Sequence, residues 1–371
     1  MGRNRLNYFC AVGVAVLFCL LVVMYMHERK QRAVRAEENR QTAARVEAEA
    51  GQHKAAIAEI YGSLTEALAK GPAGFVCWGD KEMEGNQYGT LPSSLDHKID
   101  ETFFSSLRQA LIQSGAYDAR GLGIQVVNMS ASNEGLNEIM VRTGAHQMVL
   151  GQELGLLSGN DKNSMVNVTL ADEEGNVLHF ADQKYAKFGT TTIDDVEGSL
   201  YTGTESYDDL HSMLAFRRKT AGEEYVIPAG EEVETQGAEV YRKYYPVLFF
   251  SEQEGVSASK FVSCMQEITD RYRRRNRNVV ICVTAQGSEW DLALQEAFGD
   301  HYLRQDKHVE EMTAEDYDAL ADRVFAAFEA QGTFNRVDKA TQEAFEGLDG
   351  LRQGNMQQGN MQQENLQQTQ P

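Results

Sequence analysis

Cysteine and histidine are scarce in this chain and follow no metal-binding pattern. There are five cysteines and eight histidines among 371 residues, with no Cys-x-x-Cys pair and no two histidines spaced as on a metalloprotease helix. Cys10 and Cys19 lie in an apolar amino-terminal run, and the other three lie in or beside apolar stretches, where cysteine usually behaves as a small buried hydrophobic residue. We therefore predict no disulfide framework, no metal site and no cofactor.

Positive charge is scarce as well. The chain carries 35 Lys and Arg against 55 Asp and Glu, a formal net charge of -20, and six of the basic residues fall within the first 36 residues. The remainder is therefore strongly acidic and would repel the phosphates of a nucleic acid. We predict no nucleic-acid partner and interpret the charge as a solvated surface.

One long segment near the amino terminus has no charged side chain. After a short flank over residues 1–7, Tyr8–Met26 provides 19 uncharged residues, which is the length that a membrane-spanning helix requires. A cleaved signal peptide is the alternative, but the run is long for one and lacks a small-x-small exit. Phe18 also disagrees with a lipoprotein cleavage site before Cys19, which requires a small residue there. We predict an uncleaved transmembrane helix that makes the membrane a partner through residues 8–26.

Two polar segments flank the central part of the chain. Residues 27–72 are rich in Ala, Glu, Arg and Gln and predict a helical stalk, which Gly71–Gly74 ends before the first strand. At the other end, residues 346–371 contain a repeated Gly-Asn-Met-Gln-Gln and almost nothing apolar to bury. We predict that this Gln/Asn-rich tail is disordered.

Residues 73–345 alternate apolar runs with helical patterns, which predicts an α/β domain with a mostly parallel sheet. The order is that of right-handed βαβ units and predicts a three-layer α/β/α sandwich. The predicted strands are Phe75–Asp80, Gly123–Met129, Pro246–Phe250 and Val279–Thr284, and the predicted helices are Ser94–Ser114, Ser257–Arg274, Glu289–Phe298 and Ala314–Ala330.

Residues 148–240 differ from the rest of this domain. Short alternating runs such as Met165–Leu170 and Glu224–Pro228 are separated by turn signals, which predicts an antiparallel β insertion. The insertion is long enough to form a small subdomain at the functional edge of the sheet. Substrate gating, partner binding and lineage-specific decoration all remain open as its role.

The first predicted strand ends in an informative motif. Phe75–Asp80 reads Phe-Val-Cys-Trp-Gly-Asp, and a strand that stops there places the next side chain, Lys81, at the carboxyl edge of the sheet, where open α/β folds carry their chemistry. The segment resembles the first sequence block of the SGNH (GDSL-type) hydrolases, especially the bacterial membrane-anchored forms that begin Cys-Trp-Gly-Asp-Ser. Lys81 stands where that family has its nucleophilic serine.

The resemblance extends over roughly Phe75 to Val337 and implies a flavodoxin-like SGNH fold. Four further segments carry it. Val127–Glu134 resembles the second block, Glu224–Tyr245 the segment before the third block, Ala297–Leu303 a Phe-Gly-x-x-Tyr stretch, and Ala314–Val324 the closing helix.

When the family mechanism is carried over by this resemblance, the residue at every position that acts through its side chain differs from the one in the family. In the family, serine attacks an ester carbonyl, histidine accepts its proton, aspartate supports the histidine, and a glycine amide and an asparagine side chain help to bind the oxyanion. The resemblance places Lys81 at the serine, Asn133 at the glycine, Gln253 at the asparagine, His308 at the aspartate and Glu311 at the histidine.

Lys81 is a poor replacement for the serine. A lysine amine is mostly protonated at neutral pH, and the neighbouring Asp80 would favour the charged form. A relocated nucleophile is the alternative, and Ser93, Ser94 and Ser132 are near the motif in sequence. Loss of a single member of a catalytic triad already removes most acyl-transfer activity.

The sequence therefore predicts a single-pass membrane protein with a degenerate SGNH-hydrolase-like domain. Counting the Lys and Arg that flank the span places this domain in the cytoplasm, whereas the resemblance places it outside the cell, which we favour. We predict a catalytically inactive homologue that binds or scaffolds at the cell envelope, with an envelope glycan or another envelope protein as partner. The alternatives are an active esterase or deacetylase with a relocated nucleophile, and a purely structural anchor.

Overall fold

The computed structural model describes residues 3–131, 134–180, 188–206, 212–273 and 276–368. Its helices are α1 (Arg3–Ala69), α2 (Lys81–Glu84), α3 (Leu91–Ile99), α4 (Ser105–Gln113), α5 (Leu136–Arg142), α6 (Gln236–Val240), α7 (Ala258–Asp270), α8 (Glu289–Phe298), α9 (Ala314–Ala330) and α10 (Asn335–Gln368). Its strands are β1 (Phe75–Gly79), β2 (Val126–Asn128), β3 (Met148–Leu150), β4 (Leu154–Leu156), β5 (Val166–Val168), β6 (Leu170–Asp172), β7 (Thr190–Ile193), β8 (Val196–Ser206), β9 (Ser212–Arg218), β10 (Tyr225–Ile227), β11 (Val233–Thr235), β12 (Tyr245–Ser251), β13 (Val279–Val283) and β14 (Tyr302–Gln305).

Five parallel strands form the central sheet, in the order β14-β13-β12-β1-β2. The register places Gly79 beside Phe249 and Ser251 beside Val283, so the carboxyl ends of the three middle strands lie side by side. β1 and β13 are buried along their whole length, as is typical of parallel strands that are covered on both faces. The predicted mixed α/β fold with a parallel sheet is confirmed.

Alternate side chains of β1 enter two apolar cores, one on each face of the sheet. Phe75 and Cys77 lie in a core with α3, α4, α9 and α10, whereas Val76 and Trp78 lie in a core with α5, α7 and α8. This division follows from the pleat of a strand, in which successive side chains point to opposite faces. The indole of Trp78 donates a hydrogen bond to the Tyr272 hydroxyl at 2.5 Å, so the polar atom of this fully buried side chain has a partner inside the second core.

The strands between β2 and β12 pair antiparallel and form a separate unit. β3 pairs with β6 and β4 with β10, and five others form a sheet in the order β11-β7-β8-β9-β5. They share an apolar core of their own, which includes Leu150, Leu170, Leu200 and Phe216. This pairing is the one that the alternating sequence of residues 148–240 predicts.

Two boundaries in the α/β part differ from the sequence prediction. The predicted helix Ser94–Ser114 is divided, because a π-helical turn over Asp100–Phe104 separates α3 from α4. The wider turn lets the adjacent Phe103 and Phe104 both enter the core. The edge strand β14 was not predicted, since only two of its four residues are buried and its sequence has no clear alternation.

The predicted membrane span and stalk both lie in α1, which is continuous to Ala69. From Val16 to Met26, the large apolar side chains of this helix are exposed. Nevertheless, across the part of the chain that the structure describes, no helix has the length and hydropathy needed to cross a membrane. The structure therefore does not support the predicted span over Tyr8–Met26.

The segment predicted to be disordered, residues 346–371, is helical as far as the structure describes it, because α10 continues to Gln368, and residues 369–371 lie outside the described residues. Ala340, Ala344 and Leu348 recur every four residues and are all buried against α1. A Cβ atom at Gly347 would lie only 3.0 Å from Ile60 Cδ1, so the two helices approach closely there. The sequence analysis missed this stripe because it crosses residue 346, where the domain was predicted to end and the tail to begin.

Gly79→Ala is expected to lower the free energy of unfolding by about 3 kcal/mol or more, as overpacking of a buried site does. A Cβ atom at this position would overlap the Phe249 carbonyl oxygen and lie 2.6 Å from Met83 Cβ. Gly155→Ala, in strand β4 with no atom within 4 Å of its added Cβ, is the matched control and is expected to change stability by less than about 0.5 kcal/mol. Urea unfolding of both variants measures the difference, and equal stabilities would contradict this account of the β1 end.

Candidate functional site

The carboxyl end of β1 is fixed by the buried carboxylate of Asp80. One of its oxygens accepts a hydrogen bond from the Glu82 backbone N–H at 2.9 Å, which caps helix α2. The other accepts from the Ser251 backbone N–H at 3.2 Å, the Ser251 hydroxyl at 3.1 Å and the Gln253 side-chain amide at 2.8 Å. Burial raises the pKa of Asp80, although these hydrogen bonds act against the increase. Asp80 thus joins α2 to the end of β12.

Lys81 lies at the first position of α2 and points out of the sheet edge. Its Nζ lies 2.7 Å from Glu310 Oε1 and 3.9 Å from Glu82 Oε1. The hydrogen bond to Glu310 raises the pKa of the Lys81 ammonium and lowers the pKa of the Glu310 carboxyl. At neutral pH this side chain is therefore a cation in an ion pair, which has no lone pair for attack on a carbonyl carbon.

Glu82 is a fully buried carboxylate beside this exposed ion pair. Its Oε1 lies 2.8 Å from His308 Nδ1, and its Oε2 accepts a hydrogen bond from the Val309 backbone N–H at 2.7 Å. Burial raises the pKa of Glu82, and the hydrogen bonds from His308 and Val309 do not outweigh it. The pair of hydrogen bonds holds the turn before α9 against α2, so residues from the two ends of the domain meet here.

The structure brings only some of the predicted site residues together. Lys81 and His308 both contact Glu82, whereas the Gln253 amide turns inward to Asp80 and is not available at the surface of the edge. Glu311 is exposed, and its neighbour Glu310 contacts Lys81 in its place. Asn133 and Ser132 lie outside the described residues.

Glu82 and Glu310 are the two site residues that the sequence analysis missed. The close His-x-Glu spacing of His308 and Glu310 was a signal that could have been noticed. No comparable signal marks Glu82, because its partner His308 is 226 residues away in the chain. The family resemblance points to Glu311, whereas the side chain that contacts Lys81 belongs to the preceding residue, Glu310.

The serines proposed as relocated nucleophiles have other environments. The Ser94 hydroxyl donates to Asp318 Oδ1 at 2.9 Å, on the exposed contact between α3 and α9. Ser93 lies in the first turn of α3, where its backbone N–H is capped by the Thr90 hydroxyl at 3.1 Å. Neither contact involves His308, whose imidazole is paired with Glu82.

Three side chains at this edge have the donor atoms of a metal site. Glu82, His308 and Glu310 each offer one ligand atom, and these atoms lie within 4.8 Å of one another. One imidazole nitrogen and two carboxylate oxygens form a donor set that suits Zn²⁺ and related dications. The sequence has no recognisable metal-binding spacing, yet the fold brings these three donor atoms together.

A polar groove lies away from this edge, between the antiparallel unit and the α/β part. It encloses about 950 Å³. Its lining includes acidic residues of the antiparallel unit, among them Glu232 and Glu234, and Arg242 and Arg271 of the α/β part. The lining is polar and of both charge signs, so the groove fits a polar ligand better than an apolar one.

Comparison with models of known protein families gave no match, and no curated protein resembles the chain closely enough to be recognised.

In the Glu82→Gln variant, the free energy of unfolding is expected to fall less than in the wild type as the pH is raised. The pKa of Glu82 is raised in the folded protein, so as the pH rises this carboxyl loses its proton in the unfolded chain before it does so in the folded protein. The free energy of unfolding therefore falls as the pH rises above 4.5, the ordinary pKa of the group, until the folded carboxyl also ionises. The glutamine variant lacks this contribution, which amounts to about 1.4 kcal/mol per unit of pKa difference. Asp80 keeps its own contribution of the same sign in both proteins.

The matched control is Glu310→Gln at the same edge. Lys81 lowers the pKa of Glu310, so this carboxylate contributes stability above its ordinary pKa of 4.5 that is lost as the pH falls. Removing it should therefore change the pH profile in the opposite direction and by less, since the pair is exposed. Chemical unfolding between pH 4 and pH 8 measures both, and identical profiles for the two variants would contradict the assignment.

Proposed function

We propose that the chain is a catalytically inactive relative of the SGNH hydrolases, with a binding or scaffold role at the cell envelope. The single observation that carries this proposal is the ion pair between Lys81 and Glu310 at the position where the family resemblance places a nucleophile. An ammonium group that is already paired with a carboxylate cannot begin acyl transfer.

The fold is compatible with the proposed family. A five-strand parallel sheet has an apolar core on each face, which is the arrangement expected of a three-layer, flavodoxin-like α/β/α sandwich. The Gly79-Asp80-Lys81 motif follows directly after β1, at the carboxyl edge of the sheet. In open α/β sheets this edge is where ligands bind and where catalytic groups are placed.

The oxyanion-binding side of the family mechanism is also altered. The resemblance places Gln253 at the asparagine whose side chain donates to the oxyanion, but this amide donates to Asp80 and to the Ser251 carbonyl oxygen. Stabilisation of a tetrahedral intermediate depends on donors that already point at the oxyanion position. A donor that is committed to the interior supplies none of that stabilisation, which supports the proposed inactivity.

An active hydrolase with a relocated nucleophile is the second candidate, and one observation favours it. The buried carboxylate of Glu82 holds His308 through Nδ1, which leaves Nε2 for proton transfer. This is the relation that aspartate and histidine have in a catalytic triad. The candidate requires a hydroxyl or thiol near Nε2, and Ser94 is already paired with Asp318.

The polar groove lined by Glu232, Glu234, Arg242 and Arg271 gives the binding role a location. We propose that the antiparallel unit, which supplies one of its walls, is an element for partner binding. An envelope glycan and another envelope protein both remain candidates, because a lining with charges of both signs suits either.

We propose further that residues 8–26 attach the chain to the cell membrane and that the domain lies outside the cell. The uncharged length of this segment supports the proposal. So does the row of exposed apolar side chains from Val16 to Met26, since a stretch of this kind is stable in water only when something covers it.

The catalytic proposal predicts that the full chain in detergent hydrolyses 4-nitrophenyl acetate no faster than its Lys81→Ala variant, within about twofold. A fluorophosphonate probe should leave no covalent adduct detectable by mass spectrometry. Lys307→Ala, which removes an exposed lysine paired with Asp316 nearby, is the matched control for loss of surface charge.

Turnover that survives in Lys307→Ala but disappears in His308→Ala would overturn the proposed inactivity and favour the second candidate. A stable phosphonyl adduct on any serine would do the same and would identify the relocated nucleophile directly.

The membrane proposal predicts that the full chain sediments with bacterial membranes, resists extraction by alkaline carbonate and is released by detergent. A chain without residues 1–26 should remain in the supernatant, because it lacks the uncharged apolar segment. Release of the full chain by carbonate alone would show that these residues do not anchor it.

A further inference from the structure

The edge cluster of Glu82, His308 and Glu310 combines one imidazole and two carboxylates, a donor set that suits zinc-like dications better than Mg²⁺ or Ca²⁺. The imidazole is the distinguishing donor, since hard cations select oxygen ligands alone. Glu82 comes from α2, whereas His308 and Glu310 come from the turn before α9. The three ligand atoms already lie within 4.8 Å of one another. The cluster is therefore more than an acidic surface patch, because its composition points to a class of ligand.

A second observation is that this cluster already holds a cation, supplied by the chain itself. The Lys81 Nζ lies 2.7 Å from Glu310 Oε1 and 3.9 Å from Glu82 Oε1, so it reaches two of the three ligand side chains. The side chains of Lys81 and Glu310 are 48% and 59% exposed. An exposed pair of this kind contributes little to stability, so its replacement by stronger bonds is not costly.

Glu82 is arranged as a ligand before any ion arrives. Its carboxylate is fully buried, and the Val309 N–H donates to Oε2 at 2.7 Å. This leaves Oε1 facing the half-exposed side chains of His308 and Lys81. A hydrogen bond to the far oxygen is the kind of outer contact that fixes the direction of a ligating carboxylate.

We propose that Glu82, His308 and Glu310 form a binding site for a zinc-type dication, which the ammonium of Lys81 occupies when no metal is bound. Metal binding displaces the ammonium into solvent and replaces the hydrogen bond between His308 Nδ1 and Glu82 Oε1, and the proton of that bond passes to solvent so that a neutral imidazole nitrogen and a carboxylate face the metal. Ligand atoms around tetrahedral Zn²⁺ are roughly 3.3 Å apart, so the cluster has to contract by roughly 1.5 Å at most. Exposed Glu310, on a short helical turn, is the residue that can supply this movement.

This inference deepens the proposed function and rests on it in one respect, namely that Lys81 acts as a cation and not as a nucleophile. It adds a regulatory element, because the dication would hold the turn before α9 to α2 more firmly than the exposed ion pair does. Binding of metal and hydrolysis of esters are measured separately, so either proposal can fail while the other stands.

The test is titration of the metal-free full chain with Zn²⁺ by calorimetry, with Co²⁺ absorbance as a second readout. Lys81→Met removes the competing ammonium and is expected to tighten Zn²⁺ binding at least tenfold, whereas Lys81→Arg keeps a cation and is expected to stay near the wild type. His308→Ala and Glu310→Ala are each expected to weaken binding at least tenfold. Both side chains are about half exposed, so these variants are expected to fold.

The matched control is the exposed pair His97 and Glu101, whose side chains lie 3.2 Å apart on α3 and the following turn. His97→Ala is expected to leave Zn²⁺ binding unchanged, and Mg²⁺ is expected to compete weakly. Equal affinity of the wild type and His308→Ala would overturn the proposal, as would a Lys81→Met variant that binds Zn²⁺ no more tightly than the wild type. Binding that Mg²⁺ abolishes at equal concentration would assign the affinity to the acidic surface and would also overturn it.

Discussion

The edge of the sheet depends on the buried carboxylate of Asp80. It accepts hydrogen bonds from α2, from Ser251 at the end of β12 and from Gln253 just after it, so one side chain holds the ends of two neighbouring strands in register. Without these donors, a buried carboxylate would be strongly unfavourable. The positions of Lys81 and Glu82 follow, because these two residues begin the helix that Asp80 caps.

Two neighbouring residues of the short helix α2 have opposite environments. Lys81 faces solvent and pairs with Glu310, whereas Glu82 is fully buried and pairs with His308. Both partners come from the same turn before α9, so charge attraction and burial act together to bring that turn to the end of β1. The arrangement keeps the placement expected of a catalytic edge in an α/β protein, but its central side chain is a cation without nucleophilic character.

The parallel sheet could be predicted because continuous apolar runs such as Phe75–Gly79 are a local signal. Its π-helical interruption over Asp100–Phe104 could not, since two adjacent buried phenylalanines also fit an ordinary helix end. Lys81 was located correctly at the strand end from its motif. The contacts of Glu82 were not predictable, because they join residues 226 positions apart and depend on how the final turn folds back. For the same reason, nothing in the sequence indicated that Gln253 would turn inward.

The antiparallel packing of α10 on α1 determines how mechanical load enters the domain. Residues 60–67 of α1 face residues 340–347 of α10, and Arg336 also bonds to the Lys70 carbonyl oxygen at the base of the pair. β1, a middle strand of the sheet, follows α1 after a connection of five residues, 70–74. A force applied along α1 therefore has to slide two helices past each other before tension reaches the sheet. In this geometry the helix pair acts as a shear clamp between α1 and the first strand of the sheet.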